Sequence, residues 1–394
     1  MKIWHVGASS SPNEVNGVNY AIWAVARAQS RLGHEVSLIV EHEPDEAARQ
    51  AADSHNLKLL RVPVSLLRYK SAAINRLLDD APPDLAHFHS VFVPQQAFLA
   101  RRLERSGVAQ IITPHGGTSP YILFRDFLKK SLYKLLVETA RFGRAAAVTV
   151  VLPKEETEIR AFVPGYTGFV RFVPNPVDDA LFSVKRSRVS HARKKIVYLG
   201  RFDVQHKGID ILSQIASELP EVSFHLYGAA DEKNAAQMET LKRTRPPNMH
   251  FHPPVYGAEK IQVLKSASLY IQTSRWEVFG ISIAEAMAIG LPCAVSESLN
   301  FAELFKSEKL GIVLPARPKE AAAEILKALS EPQILSVYSA RAKDFALRNF
   351  KTEMVAAKYL DCYQEVLEQQ ISPYKFRRLA RNRGAGNVGF EQRL

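Results

Sequence analysis

Residues 268–292, SLYIQTSRWEVFGISIAEAMAIGLP, decide how the rest of the chain is read. SLYIQTS has strand character, ISIAEAMA has helical spacing, and RWEVFG joins them through Gly280. A strand that feeds a helix through a short loop is the repeating unit of a parallel sheet covered by helices. Glu277 stands on that loop, and Glu285 lies about one turn inside the helix, with seven residues between them. The amides of Phe279, Gly280 and Ile281 would crown the helix N-terminus, whose partial positive charge favours a phosphate. A carboxylate one turn deeper can accept two hydrogen bonds from a diol such as the ribose hydroxyls. The plainer alternative is an acid that complements the helix dipole beside a solvated glutamate.

The same strand and helix alternation surrounds this stretch. KKIVYLG (194–200), VSFHLYG (222–228), MHFHPPV (249–255), LPCAVSE (291–297) and GIVLP (311–315) are further short apolar runs with helix-patterned segments between them. An earlier series begins at KIWHVGA (2–8), turns through SSSPNEVNG and enters the amphipathic run VNYAIWAVARAQSRLG. It continues through HEVSLIV, LKLLRVP, DLAHFHS, AQIITPH and AAVTVVL. Two such series predict an α/β protein of two Rossmann-like, doubly wound domains facing across a cleft, with ligands at the carboxyl ends of the strands. The segment NPVDDALFSVKRSRVSHARKK (175–195) lacks a long apolar run and marks the boundary near 183–194. The expected division is 1–183, 184–350 and 351–394, the last being a helix of about 352–370 that packs back on the first domain, followed by a basic tail frayed after Pro373.

Composition narrows the classes. The chain has 394 residues, 46% hydrophobic and 23% charged, which is ordinary globular usage and excludes wholesale disorder. Two cysteines exclude a disulfide framework or a four-cysteine zinc site, suit a reducing cytosol and leave little for redox chemistry. No signal peptide or membrane span is visible, so a water-soluble, cytoplasmic protein is expected. The net charge of +12 predicts attraction to phosphates, and residues 122–144 and 371–394 carry net +4 and +5 of it. Both segments contain aromatics and neither resembles a nucleic-acid module. The sequence GASSSP after the first strand is no G-x-G-x-x-G, which argues against a dinucleotide dehydrogenase.

A second candidate is LGRFDVQHKG (199–208), where Arg201 and Lys207 share one loop after a strand. Two cations there suit a diphosphate that gains negative charge as it departs, although a pair of solvated surface cations has the same spacing. His115, in TPHGG after AQIITP, would face the cleft or else order its own loop. His87 and His89 lie on one face of a strand, without a cysteine or carboxylate partner at ligand spacing, so no metal site is expected. Asn175 and Asp178 in VPNPVD suit a crossover between domains.

VNGVNYAIWAVARAQSRLGHEV, TPHGG, VPNPVD, GRFDVQHKG and EVFGISIAEAMAIGLP occur in the order of the family-four, GT-B-fold glycosyltransferases, which the chain resembles over about 1–348. The resemblance implies a retaining, metal-independent transfer of a sugar from a nucleotide diphosphate sugar to a glycan or lipid-linked acceptor, in cell-surface polysaccharide or glycoconjugate biosynthesis. It gives no cofactor and no nucleic-acid partner. By the same resemblance Arg201 and Lys207 take the diphosphate, Glu285 the ribose, and Glu277 with the amides near Phe279, Gly280 and Ile281 the donor sugar. Val255 would contact the nucleobase, although Pro253 replaces the usual glycine of its loop. Gly17 would approach the phosphates, with Asn16 where a second glycine is common, and His115 would lie beside the reacting centre. Catalytic duties thus fall to His115, Glu277, Arg201 and Lys207. The rivals are a nucleotide-sugar epimerase on the same fold and a catalytically silent homologue acting as a partner protein.

The segment FRDFLKKSLYKLLVETARFGR (124–144) reads as a basic amphipathic helix, with Phe124, Phe127, Leu128, Leu132, Leu135 and Leu136 on one stripe and Arg125, Lys129, Lys130 and Lys134 between them. Either the stripe packs on the first sheet, or it rests on an anionic leaflet at the inner face of the membrane, aided by Lys375, Arg377, Arg378, Arg381 and Arg383.

Overall fold

The computed structural model describes residues 1–14, 16–65, 68–80, 82–124, 127–186 and 194–384, with the backbone alone at 68, 124 and 370–384. The chain forms two compact units. The first comprises Met1–Val150, Glu158–Val173 and the chain from Ala356; the second comprises Val151–Thr157 and Pro174–Val355. Residues 187–193, within the expected boundary segment, lie outside the described residues.

The first unit is built on β1 (Lys2–Val6), β2 (Glu35–Val40), β3 (Leu57–Arg61), β6 (Leu85–His89), β7 (Ala109–Thr113), β8 (Ala147–Val150) and β9 (Phe169–Phe172). Between β3 and β6 a small antiparallel hairpin pairs β4 (Val64–Ser65) with β5 (Arg68–Tyr69). The seven strands run parallel in the order 3-2-1-6-7-8-9, so the winding reverses between β1 and β6. Every residue of β6 and β7 is buried, as expected of strands covered on both faces. β9 was not expected from the sequence. It is a four-residue edge strand, only half buried, and lacks the continuous apolar run that marks its neighbours.

The second unit repeats the plan with β10 (Lys195–Leu199), β11 (Ser223–Tyr227), β12 (Met249–His252), β13 (Leu269–Gln272), β14 (Cys293–Ser296) and β15 (Ile312–Leu314). Its order is 12-11-10-13-14-15, all parallel, and the winding reverses between β10 and β13. One face carries the helix Ile281–Ala288, whose Ala284 and Met287 share a core with Ala346 and Phe350 of the helix Pro332–Phe350. The other carries Leu212 and Ile215 of the helix Ile209–Ser217 with Ile325 of the helix Pro318–Ser330. The chain is therefore α/β with two Rossmann-like, doubly wound parallel sheets.

One expectation is corrected, and one of the two alternatives for the 124–144 segment is excluded. The last helix runs Thr352–Gly384, through Pro373 rather than fraying directly after it, and the rest of the basic tail, 385–394, lies outside the described residues. The helix's Tyr359, Cys362, Tyr363 and Val366 are buried in the first unit. The 127–142 segment is helical, but its apolar stripe does not pack on the sheet. Phe127, Leu128, Leu132, Leu135 and Leu136 are 58%, 81%, 59%, 71% and 67% exposed. Two of its lysines turn inward instead: Lys130 donates to the Ile122 carbonyl at 2.6 Å, and Lys134 lies over the Phe162 ring. A π-helical turn at Lys134–Glu138 brings Glu138 into the interior, where it pairs with buried Arg141 and accepts from the Phe92 amide at 2.8 Å. Arg125 lies outside the described residues, as do the side chains of Phe124, Lys375, Arg377, Arg378, Arg381 and Arg383.

Candidate functional site

In an open α/β sheet the ligand site lies beyond the carboxyl ends of the strands where the winding reverses. In the second unit those ends are Leu199 of β10 and Gln272 of β13, so the two loops that matter are 200–208 and 273–280. These are the loops singled out in the sequence. Each ends in a left-handed glycine that opens a helix: Gly208 at φ +64 before Ile209–Ser217, and Gly280 at φ +64 before Ile281–Ala288. At Gly208 a Cβ would stand 2.1 Å from the Thr273 carbonyl oxygen, so the two loops touch only because that side chain is absent. No side chain caps the helix at Gly280, and with the Ile283 amide bonded to the Gly280 carbonyl at 2.9 Å the amides of Ile281 and Ser282 are the ones left for a ligand. Phe279 itself is core, packed edge-on against Phe350, so only its backbone faces the loop.

Glu277 is the hub. Its Oε1 accepts from Lys207 Nζ at 2.5 Å, from Ser274 Oγ at 2.9 Å and from Gln272 Nε2 at 3.2 Å. An ammonium has three donors, so Lys207 can keep this partner and still reach phosphate oxygens. Arg201 is half exposed, and its contacts with Asp203 and Asp231 are both long at 3.4 Å. Such contacts are worth little and yield readily to a better anion. His206, between the two cations, is fixed by its Nε2 at 2.9 Å from the Trp276 carbonyl. Burial and the Lys207 charge lower its pKa.

Glu285 is buried on the first helix beyond Gly280 and pairs with Lys260 of the helix Gly257–Ser266. Burial pushes its pKa up, the Lys260 ammonium opposes the shift, and Asp178 adds to it. Val255, between β12 and that helix, is half buried and packs on the same core cluster as Ile283 and Phe279. Lys260, Gln272 and Ser274 were not anticipated. The partner of Lys260 is 25 residues away in sequence, and no local pattern carries such a pairing.

The reversal point of the first unit gathers the other candidates. Gly17 is the first residue of the helix Gly17–Arg31, and Asn16 is its cap, accepting from the Val18 amide at 2.9 Å. Asn16 thus does a capping asparagine's work where a glycine was looked for. His115 follows β7 at φ +48, with Nε2 3.0 Å from His89 Nδ1. Its Nδ1 is buried and has no partner among the described residues. Burial lowers the His115 pKa to about 3, so the ring is neutral. His5, His87 and His89 bring ligand atoms within 4.8 Å of one another. Every ring nitrogen of the three is already engaged, by Gln29, Tyr363, Thr113, His115 or one another, and no carboxylate belongs to the cluster. The donor set fits a hydrogen-bonded array better than a cation.

Of the two crossover candidates, Asn175 is buried with its Oδ1 unpartnered among the described residues. Asp178 accepts from the Ala180 amide at 3.0 Å, and Val177 donates to the Phe350 carbonyl at 3.0 Å. Among the described residues no helix is long and apolar enough to cross a membrane.

Residues 15–181 match the Glycosyltransferase Family 4 model, and residues 182–345 match the Glycosyl transferases group 1 model. The phosphatidyl-myo-inositol mannosyltransferase of Mycobacterium leprae is 23% identical over 368 residues, covering 89% of this chain and 93% of the relative. The GDP-mannose:cellobiosyl-diphosphopolyprenol alpha-mannosyltransferase of Xanthomonas campestris is 21% identical over 379 residues, covering 93% and 97%. Among solved structures, sucrose-phosphate synthase of Thermosynechococcus elongatus superposes with a TM-score of 0.75 at 17% identity, covering 94% of this chain and all of that one. With two doubly wound sheets of the GT-B kind and both halves matched, the chain belongs to the group 1, family 4 glycosyltransferases.

Proposed function

We propose that this glycosyltransferase moves a sugar from a nucleotide diphosphate sugar to a lipid-linked acceptor, with retention at the anomeric carbon and without a divalent metal. The observation that carries the reading is the Lys207–Glu277 pair, which joins the loops after β10 and β13 where the winding reverses, beside the uncapped N-terminus at Gly280. Arg201 and Lys207 hold the diphosphate and stabilise its growing charge as the glycosidic bond breaks. Glu285 holds the ribose, Val255 lies by the nucleobase, and Glu277 with the amides at Phe279, Gly280 and Ile281 holds the sugar. Gly17 and His115 belong to the first unit, which takes the acceptor, and the second unit takes the donor. The acceptor oxygen attacks the face from which the diphosphate leaves, and its proton passes to the departing phosphate oxygen.

The lipid reading rests on the five exposed apolar side chains between Phe127 and Leu136, flanked by exposed Lys129. Two relatives whose names specify lipid acceptors support it. The face rests on an anionic leaflet and keeps the enzyme peripheral to the membrane.

The test is a transfer assay with UDP-, GDP- and ADP-sugars, lipid-linked acceptors and EDTA. Sugar transfer that persists in EDTA is expected. An altered sugar nucleotide formed from donor alone would favour an epimerase, and rescue by Mn²⁺ after loss in EDTA would exclude the metal-free mechanism. Glu285→Gln should weaken nucleoside diphosphate binding about ten-fold with kcat little changed, because a ribose contact is made equally in ground and transition states. A loss confined to kcat would reassign Glu285.

A further inference from the structure

The three imidazoles at the reversal point of the first unit form an unbranched chain. His5 Nε2 lies 2.8 Å from Gln29 Oε1, His5 Nδ1 lies 3.0 Å from His89 Nε2, and His89 Nδ1 lies 3.0 Å from His115 Nε2. A neutral imidazole has one donor nitrogen and one acceptor nitrogen, so a single fixed bond at one end sets every proton along the chain. The Gln29 carbonyl oxygen can only accept. With that oxygen toward His5, His5 would carry its proton on Nε2 and accept at Nδ1, His89 would donate from Nε2 and accept at Nδ1, and His115 would donate from Nε2. What remains is a bare lone pair on His115 Nδ1, the atom that has no partner among the described residues.

We propose that Gln29, His5 and His89 are positioning residues that lock His115 as the Nε2–H tautomer, so that Nδ1 is presented as a hydrogen-bond acceptor to a hydroxyl of the bound ligand. The burial that keeps His5, His89 and His115 neutral supports this, since a charged ring would donate at both nitrogens and break the order. Ring stacking at 5.3 Å, with planes tilted by 23° both between His5 and His89 and between His89 and His115, holds the rings in register for it. Thr118, three residues on in the same loop, also has a buried hydroxyl without a partner among the described residues, so the loop offers a ligand two unfilled polar atoms. Had the Gln29 amide nitrogen faced His5, every bond would run the other way and His115 would present a donor. The inference extends the reading of His115 as a sugar-site residue, and its test does not depend on that reading.

The experiment is ¹⁵N NMR of the full chain labelled at histidine, with His115 assigned by its loss in His115→Gln. The wild-type protein should show His115 protonated at Nε2. In Gln29→Met, which removes the anchoring oxygen, His115 should become a mixture of tautomers and kcat should fall on the order of ten-fold. That is the size of one lost hydrogen bond. Gln29→Glu, which restores an acceptor, should return the Nε2–H signature and most of the rate. A wild-type His115 protonated at Nδ1 would overturn the proposal even if no variant folded. So would a tautomer unchanged in Gln29→Met, or one lost when the protein is stripped with EDTA. Normal turnover in His115→Gln would instead count against the sugar-site assignment and leave the tautomer result standing.

Discussion

Lys207→Ala should lower kcat/KM by roughly 100- to 1,000-fold, the usual cost of removing one preorganised electrostatic stabiliser from a developing anion. The side chain is 17% exposed and Glu277 is 12% exposed, so the pair sits where water screens it poorly and a leaving diphosphate would feel the ammonium strongly. The fold should survive the change, because the Glu277 oxygen that Lys207 engages keeps the Ser274 and Gln272 donors at 2.9 and 3.2 Å. Steady-state kinetics with saturating acceptor and circular dichroism of the variant check the two halves. Near-normal turnover in a folded variant would remove Lys207 from the diphosphate site.

The double substitution Leu128→Glu with Leu135→Glu should abolish sedimentation with anionic vesicles, weakening it by at least about 100-fold. Burying one leucine gains about 1.5 to 3 kcal/mol, so two together account for that factor or more. Both side chains are more than two-thirds exposed, which means that no core contact is lost and the melting temperature should hold. Wild-type binding should fall as salt rises and should be weaker on neutral vesicles, since exposed Lys129 adds an electrostatic share. Equal sedimentation of wild type and variant would leave the exposed leucines with no part in lipid docking.

The contrast between these two regions shows what a sequence carries and what it does not. The loops around Glu277 and Lys207 were legible because fully buried strands such as LYIQ end abruptly and their glycines sit where a left-handed backbone is required. The helix beyond Phe127 was legible as a helix, but an apolar stripe has the same spacing whether it faces a sheet or the solvent. Its π turn accompanies the burial of Glu138, which accepts from the Phe92 amide 46 residues away, a contact that periodicity does not encode. β9 was missed because half-exposed edge strands alternate weakly. His5 was read only as part of a strand, since its partners lie 24 and 84 residues away. Pairings at that distance arise from the winding of the sheet, not from local spacing.

Calorimetric titration of UDP, GDP and ADP into the wild-type chain and into Lys207→Ala and Glu285→Gln tests the donor site most directly. One of the three nucleotides should bind with one site per chain, in EDTA, and each substitution should weaken it about ten-fold or more. Binding of none of them, or equal binding by all three proteins, would contradict the placement of the diphosphate and ribose at the loops after β10 and β13.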